Sequence, residues 1–294
     1  MRAMLVLHAM SETKNQQVTV LGAGTMGHGI AQVCAQAGYR VVMRDINDAA
    51  IARGMEGVGT SLDRIVQKGK MDAATRAAVL SSIRTTTDLV DAVKDADVVI
   101  EAIPERMELK LETFRVLDAS TKADALLGTN TSSLSISDIG SAVRDPSRVI
   151  GLHFFNPVPV MELVEIVRGE KTSNATVERS RGFATSLGKK SILVRDVPGF
   201  ATSRLGVALG AEAIRMLEDG VASAPDIDLA MELGYRHPMG PLKLTDFVGL
   251  DVRLAILEHL TREIGPQFTP PELLRKMVAE GKLGRKSGEG FYKY

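Results

Sequence analysis

The run VTVLGAGTMG, residues 18–27, constrains this chain more than any other stretch. β-Formers give way to G-x-G-x-x-G at Gly22, Gly24 and Gly27, and TMGHGIAQVCAQAG then has the spacing of a helix closed by Gly38. YRVVMRD follows as a second strand ending at Asp45. Strand, glycine turn, helix and strand together open a parallel α/β sheet. In that context the glycines have separate duties. Gly22 permits the tight turn, Gly24 the approach of a pyrophosphate, and Gly27 the contact of helix with strand. Thr25 and Met26 begin the helix, whose free N–H groups and positive end face the phosphates. Asp45 stands where a carboxylate binds the ribose diol and repels a 2′-phosphate, which favours NAD over NADP. Arg44 beside it is expected on the opposite face of the strand. A flavin fingerprint begins the same way, but no second flavin-type motif follows.

Further along, ADVVIEAI, ALLGTNTSS, RVIGLHFF and SILVRD are apolar runs separated by helical segments, as expected of strands buried on both faces. Residues 47–83 are polar and helical, long for a crossover, and predict one or two extra helices projecting from the sheet. After RDVPGF the character changes. Pro198 and Gly199 break the pattern, no convincing strand follows, and 201–220, 225–234, 243–264 and 270–280 have helical spacing. The reading is therefore an N-terminal extension over 1–15, a dinucleotide-binding domain over 16–197 and an all-helical domain over 198–294. Met4 and Met10 are alternative starts. MRAMLVLHAM is too short, and lacks the cleavage pattern, for a signal peptide.

Composition excludes whole classes of partner. Lys and Arg number 36 against 36 Asp and Glu, so the chain lacks the basic footprint of a nucleic-acid binder and offers little to an anionic membrane. No window is apolar enough to span a bilayer. The single cysteine, Cys34, forms no internal disulfide, which points to a reducing cytoplasm; in its apolar helix it reads as a small buried hydrophobe. No Cys, His and carboxylate spacing suggests a metal.

The chemistry is expected at the carboxyl ends of the strands, where open α/β sheets bind ligands. ALLGTNTSS and RVIGLHFFNP place Asn130, Ser132, Ser133, His153 and Asn156 at such ends. Taking a hydride from an alcohol carbon requires a base for the hydroxyl proton, and histidine suits it. The turn NPVP lets MELVEIV return as a neighbouring strand, carrying Glu165 back beside the His153 ring to orient it and stabilise its charge. Without that pairing, His153 would be a core histidine and Glu165 an edge carboxylate.

GAGTMGHGIA, EAIPE, TNTSSL, HFFNPVPVMELVEIV, DVPGF, HPMGPLKLTDFVGLD and GRKSGEGFY, in this order over about residues 16–294, resemble the L-3-hydroxyacyl-CoA dehydrogenases, including the bacterial 3-hydroxybutyryl-CoA type. The resemblance implies a Rossmann domain followed by a helical domain through which two subunits dimerise. It also implies NAD-dependent, reversible oxidation of the 3-hydroxyl of a (3S)-3-hydroxyacyl-CoA thioester, of short chain in that type. Carried over by motif, His153 resembles the catalytic base and Glu165 its partner. Ser132 resembles a residue touching both cofactor and substrate. Glu105, Lys110, Asn156 and Lys286 resemble cofactor contacts. Ser61 and Lys68 resemble contacts to CoA, on a segment with little signature of its own.

One departure stands out. Where the family often has asparagine after VPGF, this chain has Ser203, a shorter residue with one hydroxyl, which puts its contact with substrate in doubt. His237, in the turn GYRHPMGP, reads as a structural histidine. Two other readings compete: a dehydrogenase of a free hydroxy acid or sugar acid, and a non-enzymatic NAD-binding protein with a structural or redox-sensing role. Recognition of CoA phosphates around Lys68 separates the first from the leading expectation, and loss of the His/Glu pair would mark the second.

Overall fold

A computed structural model describes residues 16–294, and the expected extension lies outside the described residues. The chain divides into two compact units, one ending at Asp196 and the other running from Val197 to Tyr294.

The first unit opens with β1 (Gln17–Leu21), α1 (Thr25–Gln36) and β2 (Arg40–Arg44). Every residue of β1 is buried, as befits a central strand covered on both faces. Next come α2 (Asp48–Gln67), α3 (Ala73–Ser81) and β3 (Ile83–Thr86), followed by α4 (Leu89–Val93) and β4 (Val98–Glu101). Asn47 caps α2 by accepting from Ala50 N–H, and Asp72 caps α3 from Thr75 N–H. Then α5 (Met107–Ser120), β5 (Leu126–Thr129), α6 (Ile136–Gly140), β6 (Val149–Phe154), β7 (Leu163–Arg168), α7 (Asn174–Ser186) and β8 (Lys190–Arg195) complete the unit. The eight strands form one sheet in the order β3-β2-β1-β4-β5-β6-β7-β8. Pairing is parallel throughout except between β6 and β7, which run antiparallel. Strand order reverses between β1 and β4, the switch point at which such sheets open a crevice.

Two readings are corrected here and a third is refined. The strand β3, IRTT, was not expected; it is a four-residue edge element whose middle two residues are exposed. The apolar run SILVRD is not buried on both faces. It is the other edge strand, with Ile192 40% and Leu193 42% exposed. The two extra helices expected over 47–83 are present as α2 and α3, but α2 also packs inward, with Ile51, Gly54, Val58 and Leu62 buried. A Cβ at Gly54 would lie 2.7 Å from Ala23 O, so this helix packs close against the glycine turn.

The second unit is helical, with α8 (Thr202–Glu218), α9 (Ala224–Leu229), α10 (Pro241–Val248), α11 (Leu250–Glu263) and α12 (Glu272–Ala279). It has its own core around Val207, Ile214, Leu242, Leu250, Leu257, Leu260 and Leu274. The helix expected over 243–264 is two helices. Gly249 adopts φ 107°, which lies outside the helical region and ends α10 before α11 begins. The last residues are held by two carboxylates. Asp246 accepts from the N–H groups of Phe291 and Tyr292, both at 2.9 Å, while Asp228 accepts from Leu242 N–H at 2.8 Å and the Tyr292 hydroxyl at 2.7 Å. No helix among the described residues is long and apolar enough to cross a membrane.

Candidate active site

The glycine turn is shaped by close approach. A Cβ on Gly22, at φ 98°, would lie 2.5 Å from Ala102 O across the switch point, and one on Gly27 would lie 1.8 Å from Gly22 O. No side chain larger than hydrogen fits either place without moving backbone. Around Gly24 the space is open, on the side where a ligand would approach. The helix α1 starts there with no side-chain cap, so its first N–H groups lack the usual acceptor. These features fit a dinucleotide pyrophosphate. A groove of about 580 Å³ runs from Gly22, Gly24, Thr25 and Met26 past Arg44, Asp45 and Ile46 to Ala102, Ile103 and Leu109. Asp45 Oδ2 accepts from Ala23 N–H at 2.6 Å, so the carboxylate also braces the turn. Arg44 is not turned away as expected. It borders the same groove, with its Nε donating to Thr87 O at 3.0 Å.

Next to it lies an open cleft of about 380 Å³, bordered by Met26, Glu105, Asn130, Ser132, His153 and Asn156. His153, next to last in β6, has its side chain buried, and Glu165 on β7 is fully buried. The antiparallel register pairs the two residues directly, and His153 Nδ1 sits 2.7 Å from Glu165 Oε2. A proton on Nδ1 is thus held by the carboxylate, leaving Nε2 as the exchangeable position. The Phe155 ring lies 4.5 Å from the imidazole, centroid to centroid. Asn130 Oδ1 accepts from Phe154 N–H at 2.9 Å, tying the end of β5 to that of β6.

On the other wall, Glu105 Oε1 accepts from Thr131 Oγ1 at 2.6 Å and from Ser132 N–H at 2.8 Å. Burial alone would push the Glu105 carboxyl up, but the Lys110 ammonium and these donors outweigh it, so it titrates below the ordinary glutamate range. Lys110, expected as a cofactor contact, is only 1% exposed. Its Nζ lies 2.7 Å from Glu101 Oε1 and 3.2 Å from Glu105 Oε2. Removing one member of such a buried pair typically costs about 3–5 kcal/mol.

A third groove, of about 520 Å³, lies along α2 and carries both expected CoA contacts, Ser61 and Lys68, together with Arg64 and Lys70. Pro157 and Pro159 form its opposite side. A neighbouring groove shares Ser61 and Arg64 and adds Arg53, His28 and Asn156. The sequence reading missed these extra cations, although Arg64 and Lys68 stand four apart on a helix and so share a face. Ser203 and Lys286 belong to the second unit. Ser203 is half-buried in the first turn of α8, and Lys286 Nζ lies 2.6 Å from Asp251 Oδ2. Cys34 is buried, which pushes its thiol far up and leaves it unreactive.

A doubly wound sheet with a glycine turn shaped to admit a pyrophosphate and an imidazole–carboxylate pair on adjoining strands has the make-up of a dinucleotide-dependent dehydrogenase. Comparison with known proteins agrees. The sequence model for the 3-hydroxyacyl-CoA dehydrogenase NAD binding domain matches residues 17–197, and that for the 3-hydroxyacyl-CoA dehydrogenase C-terminal domain matches residues 199–294. The chain belongs to the 3-hydroxyacyl-CoA dehydrogenase family. It is 44% identical over 279 residues to the 3-hydroxybutyryl-CoA dehydrogenase of Clostridioides difficile, covering 95% of this chain and 99% of that protein. It is 43% identical to the mitochondrial hydroxyacyl-coenzyme A dehydrogenase of Sus scrofa, covering 95% and 91%. The crystal structure of (S)-3-hydroxybutyryl-CoA dehydrogenase from Ralstonia eutropha superposes with a TM-score of 0.92 at 44% identity, covering 95% of this chain and 99% of that one.

Proposed function

We propose that this member of the family acts on short-chain (3S)-3-hydroxyacyl-CoA thioesters such as 3-hydroxybutyryl-CoA, with His153 as its base. The reaction is the reversible, NAD-dependent oxidation of the 3-hydroxyl to the 3-keto group. The observation that carries the residue roles is the 2.7 Å contact of His153 Nδ1 with Glu165 Oε2 at the end of β6. NAD, when bound, supplies the hydride acceptor. His153 Nε2 takes the hydroxyl proton as the hydride departs, and the resulting imidazolium is stabilised by the buried carboxylate of Glu165. Ser132 orients the substrate oxygen and the cofactor end. Gly22, Gly24, Thr25, Met26 and Gly27 hold the pyrophosphate, and Asp45 the ribose, with Glu105, Lys110, Asn156 and Lys286 as further cofactor contacts. Ser61 and Lys68, joined by Arg64 and Lys70, take the CoA phosphates, and Ser203 is assigned to the substrate.

We assign the second unit the role of a homodimer interface. Leu205, Val221, Leu233 and Tyr235 leave large apolar surface open there, each more than half exposed. The single buried thiol is compatible with a cytoplasmic setting, and fatty acid metabolism is the natural pathway class.

The test mixes the protein with acetoacetyl-CoA and follows NADH absorbance, then repeats with NADPH, with free acetoacetate and with longer 3-ketoacyl thioesters. Rapid oxidation restricted to NADH and short thioesters is the expected result. Turnover of free acetoacetate at a comparable rate would replace the thioester reading with that of a free hydroxy acid.

A further inference from the structure

Glu101 has no part in the roles assigned above, although it opens the segment EAIPE. It ends β4 at the switch point, is 0% exposed, and does not border the cleft. Its two oxygens are nevertheless fully engaged. Oε1 accepts from Ile103 N–H at 2.8 Å and from Lys110 Nζ at 2.7 Å. Oε2 accepts from the Thr129 hydroxyl at 2.6 Å. A lone buried carboxylate is costly, and a buried ion pair is seldom better for stability than apolar packing of the same volume. Stability alone is therefore a poor reason for its presence.

Two routes lead from Glu101 to the same loop. In one, Lys110 continues to Glu105 Oε2 at 3.2 Å, and Glu105 gathers the Thr131 hydroxyl and the Ser132 N–H on its other oxygen. In the other, Thr129 Oγ1 accepts from Thr131 N–H at 3.3 Å. Both end on residues 131–132, and the first also fixes the rotamer of Glu105. The peptide of Ile103, held by the same carboxylate, borders both the cofactor groove and the cleft.

We infer that Glu101 is a positioning residue for the cofactor side of the site, acting through Lys110 and Thr129 on Glu105 and Ser132. This rests on the reading of Glu105 and Ser132 as cofactor contacts. Lys110 is its intermediary, an ammonium held 2.7 Å from Glu101 Oε1 and 3.2 Å from Glu105 Oε2. With Glu101 neutral, Lys110 retains only Glu105, draws it away from the loop and loosens Ser132.

The experiment measures NADH dissociation constants by fluorescence, steady-state kcat and KM, and thermal midpoints for the full-length protein. The variants are Glu101→Gln, Lys110→Met, the double variant, and Glu105→Gln as reference. Folded Glu101→Gln is expected to bind NADH about tenfold more weakly while KM for acetoacetyl-CoA moves by less than about twofold, a split that loss of folded protein cannot produce. The double variant should bind NADH more weakly than Lys110→Met but by less than the two single effects combined, because the pair shares one route and only the Thr129 route is additionally disturbed. NADH affinity within about twofold of the parent in folded Glu101→Gln, with Glu105→Gln impaired, would overturn the inference and leave the cofactor reading standing. Unchanged NADH binding in Glu105→Gln would instead remove the reading on which it rests. Should Glu101→Gln fail to fold, Thr129→Val cuts the second route with all charges in place. Weaker NADH binding there supports the inference, and unchanged binding overturns it.

Discussion

His153 and Glu165 are direct partners across the antiparallel pair of β6 and β7, which places both side chains on one face and brings Nδ1 within 2.7 Å of Oε2. Both strands are embedded in the sheet, so neither side chain can drift from the other. Glu165→Gln keeps the shape and a hydrogen-bond acceptor while removing the charge that stabilises the imidazolium. We expect kcat to fall by about 10- to 10³-fold in both directions, with NADH affinity unchanged; the check is stopped-flow turnover beside a binding titration.

The cations along α2 give a second expectation. Arg64, Lys68 and Lys70 border one groove with Ser61. If phosphates of CoA lie there, Lys68→Ala and Arg64→Ala each raise KM for acetoacetyl-CoA by about 3- to 30-fold, since a charge-assisted hydrogen bond contributes roughly 1.5–3 kcal/mol before solvent screening reduces it. The rise should shrink at high salt and leave kcat and NADH affinity alone. Kinetics at two ionic strengths decide this.

Much of this architecture was legible from the chain. Gly22, Gly24 and Gly27 at the junction of strand and helix allow few alternatives, because Gly22 and Gly27 meet backbone where no Cβ fits and Gly24 leaves the approach open. The return of Glu165 beside His153 was legible too, because the turn NPVP leaves little room for anything but a neighbouring strand. Edge strands were less so. SILVRD has the same apolar content as a central strand, and only the sheet order reveals that Ile192 and Leu193 are exposed. The break at Gly249 hid inside a continuous helical pattern. The role of Glu101 was not legible because its partners, Lys110 and Thr129, lie 9 and 28 residues away, and nothing in the spacing shows that their side chains meet.

Acid should act on the cofactor wall through Glu105. Its carboxyl is held below the ordinary value of 4.5 by Lys110, Thr131 and Ser132 against the opposing effect of burial. Its stabilising contribution is therefore complete above the unfolded value and lost as pH falls through the lower, folded one. NADH affinity should stay level from neutral pH down through the ordinary carboxyl value of 4.5 and drop only below it. In Lys110→Met, Glu101 and Glu105 both lose their counter-charge, and the drop should begin at higher pH. Fluorescence titration of NADH across pH in both proteins checks the order.

The C-terminal segment depends on Asp246, which is 1% exposed and accepts from Phe291 and Tyr292 N–H. Asp246→Ala leaves both donors without an acceptor, and we expect a loss of about 2–4 kcal/mol in the second unit, read from urea unfolding.

The central claim is that His153 moves the proton and does not merely fill the strand end. His153→Gln keeps a polar side chain of similar length but cannot act as a base. The decisive measurement is the single-turnover rate of acetoacetyl-CoA reduction by this variant, beside its NADH dissociation constant. The account predicts a rate lower by about 10²- to 10⁴-fold with NADH affinity unchanged. A rate close to that of the unaltered protein would contradict it and assign the proton to another group.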